Sequence, residues 1–237
     1  REFKKTEIKE KIGNEIYIDK LRRYLNKITD ENYEDERNNI IQLIEEVKEL
    51  EDTDVLYSAG NIIFVIASQN KFYSKLYAKL YSELKEKFSF VDEIFNKSYS
   101  EFIKTFEVIE YVDAEKDYDK FCLVNKENDN RKAMSLFITH LINFEMVSVD
   151  SGIQLLHELK DKFKENIEKQ DCKKIVEEIC ENLFIIMTNG YEKMENEDKW
   201  DSITDYIKLI SDKEANDYPS LSNKVIFKCM DIIEEIN

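Results

Sequence analysis

The side chains best suited to acid–base, nucleophilic or metal chemistry are two histidines, four cysteines and 51 carboxylates in a chain of 237 residues. Such chemistry needs these groups to converge on one rigidly held point. His140 and His157 each lie beside an apolar stripe on separate helices, the pattern of packed histidines. Cys122, Cys172, Cys180 and Cys229 are far apart and show neither a C-x-x-C pair nor histidine at metal spacing. They read as reduced, mostly buried thiols. The carboxylates are spread over polar faces, where they serve solubility. The chain carries no glycine-rich phosphate loop, no G-x-S-x-G and no H-E-x-x-H. The expectation is a protein that is not an enzyme, with no catalytic residue, no metal and no bound cofactor.

The elements that must position its side chains are helices. Glycine occurs 4 times and proline once, too few for the turns of a many-stranded sheet. An apolar fraction of 42% supplies a core, and a charged fraction of 36% fits many amphipathic helices with one face in water. Periodicity of 3.6 residues marks helices over about 17–28, 32–50, 53–68, 71–87, 89–106, 131–146, 149–166, 172–189, 199–211 and 219–237. Thr29 is placed to cap the second helix, Ser89 with Asp92 forms a capping box for the fifth, and Ser148 caps the seventh. Phe72, Leu76, Leu80 and Leu84 recur at i+4 in the fourth helix, beside a row of Tyr73, Tyr77 and Tyr81 that reads as core and core margin. Pro219 suits the first turn of the last helix. Between about 111 and 129 the pattern fades into polar residues, which predicts a long loop. Short turns between helices predict five antiparallel pairs stacked as a solenoid.

A net charge of -16 sets the chain against nucleic acid, because phosphate neutralisation supplies most of that affinity. Two basic stretches run against this field: a lead-in over residues 1–16 with Lys4, Lys5, Lys9 and Lys11, and a second cluster of Lys20, Arg22, Arg23 and Lys27. The second is the candidate RNA contact. No apolar run reaches the length of a membrane span, and the start is not a signal peptide. The expectation is an intracellular, soluble protein that contacts no membrane. The first residue is not Met, which suggests a segment of something longer.

From Asp19 to Tyr33 the chain reads DKLRRYLNKITDENY and resembles the opening of the middle domain of eukaryotic translation initiation factor 4 gamma, where a basic helix ends in L-N-K-L-T-x-x-x-F. Ile62-Ile63-Phe64-Val65-Ile66-Ala67 is similar to that family's I-x-x-I-F-x-x-A, and Tyr77-Ala78-Lys79-Leu80-Tyr81 to its Y-A-x-L-C. Asn130 to Phe137, continuing to Met146-Val147-Ser148, is similar to its segment beginning G-N-I-x-F-I-G-E-L-F. Ile179-Cys180-Glu181-Asn182-Leu183 resembles its L-C-x-L-L. The likeness spans about 17–237, and its weight lies in the order and spacing of the motifs. Where the family's last helix is basic, this chain has Asn223, Lys224, Val225 and Ile226.

The resemblance implies an all-α, HEAT-like solenoid of five antiparallel helix pairs, about ten helices, following the lead-in at 1–16. It implies a translation initiation scaffold that binds and stimulates a DEAD-box RNA helicase of the initiation factor 4A type and helps recruit messenger RNA to the ribosome. Messenger RNA would be held weakly, and a cap-binding protein through regions outside this segment. The alternatives are a related scaffold in messenger RNA decay, splicing or deadenylation, or a direct RNA-binding module. The setting implied is cytoplasmic. An AT-rich, divergent sequence fits a large DNA virus, acting in the host cytoplasm, or a protist. Partner contact is assigned by position to inter-helix turns along one edge, Asn70 and Lys71 in the second pair and Asn128, Asn130 and Arg131 ahead of the sixth helix. Trp200 is added as a lone interface aromatic, and Phe3 as an aromatic anchor within the basic lead-in.

Overall fold

Each apolar stripe closes onto its neighbours as a helix in the computed structural model, which describes residues 15–236. The helices are α1 (Glu15–Lys27), α2 (Tyr33–Glu49), α3 (Thr53–Gln69), α4 (Ser74–Lys87), α5 (Ser89–Lys104), α6 (Tyr118–Asn143), α7 (Val149–Ile167), α8 (Lys173–Met194), α9 (Trp200–Ser211) and α10 (Asn223–Ile236). Among the described residues there is no strand, so the fold is all-α. No helix of the described residues is long and apolar enough to cross a membrane.

Side-chain caps fix the starts of α3, α6 and α7. Ser148 Oγ accepts from Ser151 N–H at 3.2 Å, as expected, and Asp52 accepts from Asp54 and Val55 N–H at 3.1 and 3.2 Å. Turns close with little glycine because non-glycine residues take the left-handed conformation, Glu51 at φ 54, Glu145 at φ 61 and Asp171 at φ 60.

α4, α6, α8 and α10 pack in series, and α1 and α2, α3 and α4, α7 and α8, and α9 and α10 pack as pairs. Links along the even-numbered row keep a steady sequence offset. It is 46 from Arg37 to Glu83, 47 from Arg131 to Glu178 and from Ser135 to Asn182, 48 from Glu145 to Lys193 and 45 from Cys180 to Val225. Links that ascend together along two helices make those helices parallel, so each unit is one helix pair. That length falls near the upper end of HEAT-type repeats, roughly 40–47 residues. Only the third unit departs: Lys71 to Asp129 spans 58 residues and Lys85 to Met146 spans 61. There α5 lies chiefly on α3 and α4.

Aromatic side chains fill the junction of α3 to α6. The Phe64 ring meets Tyr81 at 5.8 Å, Phe95 at 6.5 Å and Phe137 at 6.0 Å, all edge-on. The tyrosine row is core and core margin: Tyr81 and Tyr77 are buried, and Tyr77 donates to Leu25 C=O at 2.7 Å. Burial pushes the Tyr77 hydroxyl up to about 12. α3 approaches α5 closely at Gly60, where a Cβ would stand 2.7 Å from the Phe90 ring.

The structure corrects several local expectations. The loop placed at 111–129 is helical from Tyr118, where Asp117 accepts from Lys120 N–H at 2.9 Å and starts α6. Its first turns bury only Val124 before Arg131 and leave Tyr118, Cys122 and Leu123 exposed, so their apolar residues form no buried stripe. Thr29 does not cap α2: its N–H donates at 2.7 Å to Asn32 Oδ1, and Asn32 Nδ2 donates to Lys27 C=O. Ser89 and Asp92 form no box, because Asp92 pairs with Lys85 at 3.1 Å. α10 begins at Asn223, and Pro219 lies in the preceding turn.

Candidate docking surface

α3 stops at Gln69 because Asn70 turns extended, at φ -94 and ψ 96, and its Oδ1 accepts from Tyr73 N–H at 2.9 Å. The turn so made leaves Lys71 and Phe72 pointing outward, with Phe72 86% exposed and its ring 4.7 Å from that of Tyr73. α4 begins only at Ser74, so Phe72 falls outside the stripe that its i+4 spacing suggested.

α6 comes to meet this turn. Lys71 Nζ lies 3.3 Å from Asp129 Oδ1, which also pairs with Lys132 at 3.4 Å. Lys132 reaches Glu178 at 3.6 Å and Arg131 reaches it at 3.4 Å. Alternating charges therefore run from the α3–α4 turn across α6 to α8 and connect Lys71, beside Asn70, with Arg131; Asn128 and Asn130 lie within α6 and not at a turn, Asn128 bonded to Arg131 and Asn130 bordering a separate hollow. Burial raises the Asp129 carboxyl, but Lys71 and Lys132 outweigh it and hold the group below the usual carboxylate range. At Glu178 burial wins, and the carboxyl is raised against the pull of Lys132 and Arg131.

Arg131 is not a contact residue. It is 6% exposed; its guanidinium bonds Asn128 Oδ1 at 2.5 Å and Thr105 C=O at 3.1 Å, and it stands 5.6 Å from the Phe106 ring. A cation taken out of water needs such partners. Here they pin the segment after α5 to α6 and α8. Trp200 is likewise corrected: as the first residue of α9 it is 6% exposed, on the buried face it shares with Ile203, Ile207 and Ile210. Phe3 lies outside the described residues, as does the lead-in before Glu15.

Lys20, Arg22, Arg23 and Lys27 lie along α1. Among the described residues none of them shares a hydrogen bond or ion pair with the edge. Arg22 borders a hollow that also holds Glu15, Asp19, Asp52 and Asp54, an acidic setting that opposes phosphate.

Two of the hollows that flank the edge include residues of α3, α4 or the turn between them. One, of about 370 Å³, sets Phe72 with Tyr33, Leu76 and Phe144 inside a rim that includes Lys75, Lys79 and Glu34; Lys79 Nζ stands 4.2 Å from the Tyr33 ring. The other, of about 600 Å³, opens between α3, α5 and α6 and includes Asn130. Sequence reasoning missed both, along with Phe72. Two adjoining aromatics at a turn, Phe72-Tyr73, were the available signal.

His140, on the last turns of α6, is lowered to about 4 by burial and by Lys75. It is a neutral, packed ring at pH 7. Among the described residues no group of three or more His, Cys, Asp or Glu side chains is arranged to hold a metal ion. The arrangement offers shape, an exposed aromatic and fixed charge, the means of holding a protein surface. No protein-family model matches the chain, and no curated protein sequence matches it significantly.

Proposed function

We propose that the chain is a translation initiation scaffold that docks a two-lobed DEAD-box RNA helicase of the initiation factor 4A type. The observation that carries this reading is the edge at Asn70–Phe72 and Asn128–Lys132, where two units of the stack present an exposed aromatic beside paired charges. A rigid row of parallel helices that touches both lobes of such a helicase favours one relative orientation of the lobes, and so changes the rate of its ATP cycle. The ordered motifs described above choose the partner. One of them, Leu25-Asn26-Lys27-Ile28-Thr29, spans the end of α1 and the start of the turn after it, with Leu25 and Ile28 buried. That match therefore supports the fold, and through the fold the docking role.

The reading is tested by the steady-state ATPase rate of an initiation-type DEAD-box helicase with RNA, with and without this chain. A raised rate at saturating chain is the expected result. A rate unchanged over the whole titration would remove this helicase class as the partner.

A further inference from the structure

The third unit of the stack is the one that breaks the steady offset, and there α5 lies on α3 and α4 while α6 stands away from it. The groove of about 600 Å³ between α3, α5 and α6 is the result. Its floor is apolar, with Phe64, Phe102 and Met134 buried, and its lips carry Val65, 48% exposed, and Val108, 71% exposed. Its charged lining is Glu101 on α5, Glu127 on α6 and Arg131, and the cation is already spent on Glu178. Among the described residues Glu101 is in no ion pair, and Glu127 is in no direct one, though Lys120 and Arg131 lie near enough to feel its charge. No lysine lines the groove.

We infer that this groove receives a basic segment of a partner protein, one that seats an aliphatic or aromatic side chain between Val65 and Val108 and lays flanking lysines or arginines against Glu101 and Glu127. Charge complementarity selects this occupant. An acidic segment meets two carboxylates and a chain of net charge -16, and a wholly polar one leaves the valines uncovered. The inference rests on reading the chain as a docking scaffold, and does not require the helicase to be the partner.

The probe is a fluorescent synthetic peptide with a central leucine–phenylalanine pair flanked by lysines, titrated by anisotropy with the whole chain. It is expected to bind, to weaken as salt is raised, and to lose about tenfold in affinity to the E101K/E127K variant. V108D weakens it as well, and E101Q/E127Q serves in place of the charge reversal if thermal unfolding shows that variant destabilised. E192K/E195K makes the same change of charge on exposed residues of α8 and the turn after it, and leaves binding unchanged. The inference is overturned if the peptide does not bind, if E192K/E195K weakens it as much as E101K/E127K, or if lysine peptide without the apolar pair binds equally well. A helicase titrated in parallel separates the two readings. Helicase binding without peptide binding removes only the groove's role, and peptide binding without helicase binding removes only the helicase.

Discussion

Arg131 shows how a single residue ties distant parts of this chain, since its guanidinium joins the segment after α5 to α6 and α8. Arg131→Met leaves the buried Glu178 carboxylate with Lys132 and the Asn182 amide as partners, and is expected to cost about 3 kcal/mol in urea unfolding. Adding Glu178→Leu should return most of that loss; a double variant no more stable than the single one would show the pair is not coupled. His140 sets a pH dependence. Its folded value of about 4 lies below the ordinary value of 6.5, so between those limits the unfolded chain binds a proton that the folded chain refuses. Stability from this source is complete above about 6.5 and is lost as the pH falls toward 4, by about 2 kcal/mol for a ring still partly in water. His140→Gln should flatten the fall of the urea midpoint between those pH values, and equal slopes would contradict the assignment. Glu51 holds a left-handed turn at φ 54, so Glu51→Gly should raise stability by about 0.5 kcal/mol, read from the same midpoint.

At the scale of the helices, what the sequence made legible was whatever repeats with period 3.6. The stripes of α2, α7 and α8 became buried faces, and Ser148 capped where its type and place suggested. The first turns of α6 were illegible because they bury almost nothing, so their pattern has no period to detect. The two halves of α6 should therefore behave differently. Amides over 118–127 are expected to exchange with solvent well before those over 131–143. Leu123→Ser, at a position 62% exposed, should change stability by no more than about 0.5 kcal/mol. Phe137→Ala, which empties the aromatic junction, should cost about 3–5 kcal/mol. Equal protection along α6 would contradict this division. Phe72 and Trp200 went astray for a related reason: whether a large aromatic at a helix start is packed or exposed depends on where the chain turns, and letters do not give that to the residue. Phe72 precedes α4 and faces out, whereas Trp200 opens α9 and faces in.

Across the whole molecule, the order of parts was readable and the repeat was not. Offsets of 45 to 48 along the even-numbered row emerge only once side-chain partners are known, and the longer third unit blurs any period in the letters. The docking edge was half legible. Asn70 and Lys71 do lie at the turn between α3 and α4, whereas Asn128 and Asn130, also placed at a turn, lie inside α6, whose Asp129 pairs with Lys71. Arg131 was misread as surface because a charged letter carries no sign of burial, and the hollows are products of packing between units distant in sequence. The scaffold reading predicts that the fold itself survives changes on this edge. Phe72 is 86% exposed, so Phe72→Ala should leave stability within about 0.5 kcal/mol while weakening a docked partner by about tenfold or more.

The most direct test of the account is a binding titration of an initiation-type DEAD-box helicase against the native chain and against a variant carrying Phe72→Ala and Lys71→Glu. The account predicts saturable binding by the native chain and a loss of about tenfold or more in the variant, with thermal unfolding unchanged. Absence of binding by the native chain, or equal binding by a well-folded variant, would contradict it.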